Sequence, residues 1–147
     1  MTDKQYNKTT RAEISKWMQS YDWQCSITLT PANPLKYNYA IKALNRWTDN
    51  LARHTGLHLQ YAGVYNTHGS VHIHLLAAAS APNNNLLNIT DNQWPLINRS
   101  FPGDVKVEPI YDPQGICTYI FEVNLGHHSA RFIEPHGNLM IIQGRAA

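Results

Sequence analysis

His72 and His74 stand one residue apart in the run GSVHIHLLAAA, residues 69–79, which is otherwise apolar. In an extended strand, residues i and i+2 point to the same face. The two imidazoles then lie side by side, and Val71, Ile73 and Leu75 take the other face. Two neutral imidazoles on one rigid strand can hold a divalent metal if a third ligand comes from elsewhere. The bland alternative is a pair of polar residues on a half-exposed sheet face. Neighbouring residues favour the site. Ala77 and Ala79 are small, and a hairpin turn at THGS, residues 67–70, sets Tyr65 opposite His72 and Gly63 opposite His74. A glycine there leaves room for a ligand to approach.

The elements that must carry this pair are legible from hydrophobic spacing. Thr10 to Glu13 matches a capping box, and Ile14, Trp17, Met18 and Tyr21 follow at helical spacing. In WQCSITLT, residues 23–30, Cys25, Ile27 and Leu29 alternate with polar residues as in a strand. PANP ends it. Residues 38–54 predict a helix with Ile41, Leu44, Trp47 and Leu51 on one stripe, and Gly56 stands where a C-cap would. Strands are expected at 57–66, 71–79 and 104–110, with a short helix around 93–99. Asp112-Pro113 opens a further helix to about residue 124, with Ile116, Ile120 and Val123 as its core face. NLMIIQG, residues 138–144, reads as a last strand. A single α+β domain over residues 1–147 is expected, an antiparallel sheet covered by helices.

The chain has 147 residues, 43% hydrophobic and 15% charged, enough for one folded core. No apolar run approaches the ~20 residues of a membrane span. The polar start, MTDKQYNKTTR, lacks the apolar core of a signal peptide, so a cytoplasmic protein is expected. Cys25 and Cys117 are far apart and fit no metal or redox spacing; buried thiols are expected. A net charge of +2 permits a nucleic-acid partner without demanding one. Eight His and eight Tyr supply polar contacts to a polyanion without formal charge.

Three stretches together resemble the HUH single-strand DNA endonucleases, which include rolling-circle replication initiators, relaxases and single-strand transposases. His72-Ile73-His74 resembles the family's metal motif. ITLTPANP, residues 27–34, is similar to the first motif of the replication initiators. EPIYDPQGICTYIFEVN, residues 108–124, resembles the third, in which a strand, a turn and a glycine lead into a helix bearing a nucleophilic tyrosine. The three come in the family's order.

The resemblance implies a ferredoxin-like sheet with the histidine pair on its central strand. It also implies metal-dependent cutting of single-stranded DNA through a 5′-phosphotyrosine, with release of a 3′-OH. A phenol ionises near pH ~10 and is a poor nucleophile near neutrality, so a metal must polarise the phosphate. Tyr119 matches the nucleophile position after Gly115, and Tyr111 is the second choice. Single-tyrosine initiators usually place Lys three residues on; here that residue is Glu122. The stretch before the histidines, YAGVYNTHG, lacks the carboxylate many relatives carry. In the transposase branch the third ligand comes from the tyrosine helix, which implies a His72/His74/Glu122 site for Mg²⁺ or Mn²⁺. His68 in the turn is the alternative ligand.

Lys36, Arg46, Arg53, Arg99 and Lys106 are candidate phosphate contacts, with Tyr37 and Lys42 beside them; each alone is more often a solvated surface charge. The Asn-rich loop at 83–98 could read bases or be a plain surface loop. His127, His128 and His136 fit no ligand geometry. The expected partners are single-stranded DNA and a separate helicase, since no length remains for one, with no membrane; a homodimer is compatible. A plasmid or virus replication initiator fits best, with a transposase-like protein or a non-catalytic nucleic-acid-binding module as alternatives.

Overall fold

A computed structural model describes residues 6–80 and 84–137. The fold is α+β, and its elements run α1 (Lys8–Gln19), β1 (Cys25–Pro31), α2 (Tyr37–Thr55), β2 (Leu59–Asn66), β3 (His72–Ala79), α3 (Trp94–Asn98), β4 (Gly103–Pro109), α4 (Pro113–Cys117) and β5 (Arg131–His136). The helical run goes on past α4 as a π turn, Thr118–Val123, and a 3₁₀ turn, Asn124–Gly126. No helix among the described residues is long and apolar enough to cross a membrane.

The five strands form one sheet in the order β4-β1-β3-β2-β5, every neighbouring pair antiparallel. β3 is therefore the central strand, and it carries both His72 and His74. β1 and β2 flank β3 and run parallel to each other, joined by α2 as a crossover.

Each face of the sheet has its own core. Cys25, Ile27 and Leu29 of β1, Tyr61 and Tyr65 of β2, and Ile73, Leu75 and Ala77 of β3 meet Ala40, Leu44, Trp47 and Leu51 of α2. The opposite face packs Ala62, Val64 and Leu76 against Met18 of α1 and Cys117, Ile120, Phe121 and Leu125 of the second helical run. Both cysteines are buried thiols. β2 is buried along its whole length because both its faces are covered. β3 is covered on both faces only from Leu75 onward, and its first residues, His72 and His74, stay half-buried. On the edge strand β4, Asp104, Lys106 and Glu108 are exposed.

Several expectations need correction. The Asn7 side chain, not Thr10, caps α1 and accepts from the Thr10 N–H at 2.8 Å. The hairpin register differs by one: Asn66 pairs with His72 and Val64 with His74. Five residues, 67–71, separate the strands instead of four, and a one-residue shift changes every cross-strand partner. Tyr65 and Gly63 instead pair with Ile73 and Leu75, and Tyr65, Ala77 and Ala79 lie in the core on the α2 side, away from the histidines. Val123 is 50% exposed while Phe121 is fully buried, because the π turn's i→i+5 bonding rotates the following side chains out of α-helical phase. The expected strand at 138–144 lies outside the described residues. The strand found near that end is β5, on a sheet edge with Pro135 in it, as the missing proline donor requires.

Candidate functional site

The site forms where the cover of the second face stops. Strand register sets a row across the sheet: Lys106 on β4, Thr28 on β1, His74 on β3 and Val64 on β2. His72 lies one step along β3, paired with Asn66. The His72 and His74 rings meet edge to face with centroids 4.7 Å apart. Tyr119, on the first turn of the π segment, sets its ring against His74 at 5.5 Å and 76° between planes. It is 47% exposed.

The histidines are prepared differently. His72 Nδ1 lies 2.8 Å from the Ser70 carbonyl oxygen, which can only accept. Nδ1 therefore carries the proton, and Nε2 keeps its lone pair. His74 Nδ1 lies 3.4 Å from Thr28 Oγ1, a long contact. His74 Nε2 is buried and has no hydrogen-bond partner among the described residues. A buried, unpaired nitrogen is costly unless a ligand meets it. Burial first, and then neighbouring His72, push the His74 imidazole down to about 4, so it is neutral at pH 7. His72 thus suits metal ligation in its tautomer, and His74 in its charge.

A third ligand is not assembled. Among the described residues no group of three His, Cys, Asp or Glu side chains comes close enough to hold a metal ion. Glu122 is half-buried in the π turn and makes no ion pair among the described residues. His68 is exposed on the hairpin turn and stacks on His127, ring centroids 4.0 Å apart.

Sequence reasoning missed a buried amide network behind the site. Asn66 is fully buried, and its Nδ2 contacts Asn124 Oδ1 at 3.0 Å and His127 Nδ1 at 2.7 Å. Its Oδ1 accepts from the His68 N–H at 2.9 Å. Asn124 Nδ2 donates in turn to the Tyr119 carbonyl at 2.8 Å. The strand that pairs with His72 is thereby tied to the backbone of Tyr119. Partial burial, then the rings of His68 and His72, hold His127 below its ordinary value. Counting the hairpin with five connecting residues would have placed Asn66 opposite His72; nothing local in the sequence points to Asn124 or His127.

Of the six cations considered for DNA contact, only Lys106 shares the histidine face, with its Nζ 3.7 Å from Glu108, and Lys42 lies on α2. Lys36 caps the start of α2, in the loop leaving β1 at the His72 end of the sheet. Arg46 and Arg53 lie along α2, across the sheet from the histidines, and Arg99 closes α3, which packs on α2. In the Asn-rich loop, Asn85 caps its own 3₁₀ turn and Asn98 accepts from Trp47 Nε1 at 3.0 Å. Tyr111 stands 89% exposed just before α4. Comparison with protein-family models, curated proteins and solved structures finds no match to this chain.

Proposed function

We propose that this protein is a metal-dependent, site-specific single-strand DNA endonuclease and strand transferase of the HUH type, on a ferredoxin-like sheet. The observation that carries the reading is the contact of the Tyr119 ring with His74, itself beside His72 on the central strand. A half-exposed phenol against a neutral imidazole, with a second imidazole beside it, is what phosphodiester transesterification by tyrosine asks of a site.

His72 and His74 would hold the cation, Mg²⁺ or Mn²⁺, through their Nε2 atoms. Glu122 is the proposed third ligand and His68 its alternative. The chemistry a bound cation supplies is polarisation of the scissile phosphate and neutralisation of charge as it develops. Tyr119 Oη attacks phosphorus and gives its proton to water. The P–O3′ bond breaks, the 3′ oxygen takes up a proton, and the 5′ phosphate stays on Tyr119. Attack by a 3′-OH on that phosphotyrosine rejoins the strand without external energy. Initiation of rolling-circle replication of a plasmid or virus is the proposed role, with strand opening left to a separate helicase; single-strand transposases are the nearer relatives if Glu122 is a ligand, and a transposase-like role is the alternative.

A second reading is a nucleic-acid-binding module without catalysis. It is favoured by the absence of a gathered ligand trio among the described residues. The test is incubation with a pool of single-stranded oligonucleotides and Mn²⁺, read as a protein–DNA adduct on a denaturing gel. The expected result is an adduct in the wild type, reduced at least about 10³-fold in Tyr119→Phe and lost in His72→Ala. An adduct that survives Tyr119→Phe would move the nucleophile to Tyr111. DNA binding without any adduct would favour the module.

A further inference from the structure

A cleft of about 300 Å³ opens beside Tyr119, between the end of β4 and the start of α4. Ser26, Glu108, Tyr111, Asp112, Ile116 and Tyr119 line it. Ser26 pairs with Glu108, one row along the histidine face from the row of Lys106, Thr28 and His74. The cleft is thus continuous with the proposed site and shares Tyr119 as a wall. This inference rests on the nicking reading above.

The chemistry of the lining is selective. Tyr111 is 89% exposed, a large aromatic surface open to a ligand. Together with Ile116 it offers flat apolar area of the kind on which unpaired bases stack. The charges in the cleft are carboxylates, Glu108 and Asp112, which repel phosphate. The part of a nucleotide that fits here is therefore its base. Ionised carboxylates only accept hydrogen bonds, so the base must donate. Asp112 Oδ1 is already engaged with the Gly115 N–H at 3.0 Å. Glu108 is exposed and, among the described residues, its ion pair is with Lys106 at 3.7 Å, which leaves it able to turn to a ligand.

The geometry points to this cleft as the specificity pocket for a nucleobase beside the scissile phosphate. Tyr111 would stack on the base and Glu108 would accept from its exocyclic amine. Adenine, cytosine and guanine carry that amine; thymine does not, and is the base the pocket rejects. Tyr111 is then a binding residue and not a nucleophile.

The test measures binding of labelled oligo(dA), oligo(dC) and oligo(dT) by fluorescence anisotropy, alongside the adduct assay. Wild type should bind oligo(dA) or oligo(dC) at least about 10-fold tighter than oligo(dT). Tyr111→Ala should weaken the preferred ligand about 10-fold, and Tyr111→Phe should restore it. Glu108→Gln should shrink the preference against thymine to within about 3-fold, since an amide both donates and accepts. Both side chains are exposed, so these variants should fold. Equal affinity for all three oligonucleotides, or unchanged affinities in Tyr111→Ala and Glu108→Gln, would overturn the pocket. An adduct indifferent to both residues would overturn the pocket and leave the nicking reading standing. The base preference without any adduct would uphold the pocket as a binding site and remove the nicking. Absence of binding to all three would overturn it.

Discussion

The Tyr119 ring meets the His74 imidazole nearly at right angles, with 5.5 Å between centroids, across an interface where a helix leaves the sheet. His74 Nε2 is buried there with no partner among the described residues, while the Ser70 carbonyl at His72 Nδ1 leaves His72 Nε2 its lone pair. Two nitrogens so prepared should dominate metal affinity. In calorimetric titration with Mn²⁺, His72→Ala and His74→Ala should each weaken binding at least about 10-fold. Glu122→Ala should weaken it by a similar factor, and His68→Ala should leave it within about 2-fold. Wild-type affinity in Glu122→Ala together with a large loss in His68→Ala would move the third ligand to the hairpin turn.

The same burial makes the metal-free protein sensitive to acid. The native state keeps His74 neutral down to about 4, whereas the unfolded chain takes up that proton below an ordinary 6.5. The unfolded state binds more protons in that window, so stability falls as pH drops from 6.5 towards 4 and is unaffected by this group above it. His74 is only part-buried, so the full shift is discounted to about 2 kcal/mol. In the presence of chelator, the melting temperature should fall by about 6 °C more between pH 7 and pH 4.5 in wild type than in His74→Gln. Parallel curves for the two proteins would mean that the imidazole is more open to water than its packing indicates.

Much of the scaffold was readable because its signals are local. Cys25, Ile27 and Leu29 alternate in β1, and Gly56 takes φ 74° at the end of α2 as a C-cap glycine does. The shared face of His72 and His74 follows from strand parity alone. What could not be read depends on partners distant in sequence. The hairpin register turns on whether Val71 belongs to the turn or the strand, and composition does not decide that. The π turn has no pattern of its own; Asn124, held by Asn66 from 58 residues away, fixes the backbone at Tyr119. Val123 looks like core at α-helical spacing, and it points outward because that phase is broken. His127 joins the site through Asn66, 61 residues earlier, and through its stacking on His68.

The amide network makes Asn66 a positioning residue for Tyr119. Removing its side chain leaves the Asn124 amide, the His127 Nδ1 and the His68 N–H without their buried partner. Asn66→Ala should cost about 2–3 kcal/mol in denaturant unfolding. It should also slow adduct formation more than it weakens single-stranded DNA binding, because Tyr119 loses its register and the binding surface does not. Asn124→Ala, which removes the bond to the Tyr119 carbonyl, should show the same split. Equal losses in binding and in adduct rate for both variants would reduce the network to a purely structural role.

Gly63 lets the backbone of the neighbouring strand approach closely, opposite to the sequence expectation that it leaves room for a ligand. A Cβ at Gly63 would run into the His74 carbonyl oxygen, and would stand 2.8 Å from Leu75 Cδ2 and 2.9 Å from the His74 carbonyl carbon. Backbone is the obstacle, so the strands themselves would have to part. The irregularity between Tyr61 and Gly63, where β2 meets β5, puts a second strand in the way of that adjustment. Gly63→Ala should therefore cost about 3 kcal/mol or more. Gly56→Ala is the control. It has open space around its Cβ and suffers only from φ 74°, so it should cost about 1 kcal/mol. Because the displaced group is the His74 backbone, Gly63→Ala should also weaken Mn²⁺ binding at temperatures where the variant is still folded, and Gly56→Ala should not. Equal stability of the two variants would show that β2 and β3 can separate at His74 without penalty.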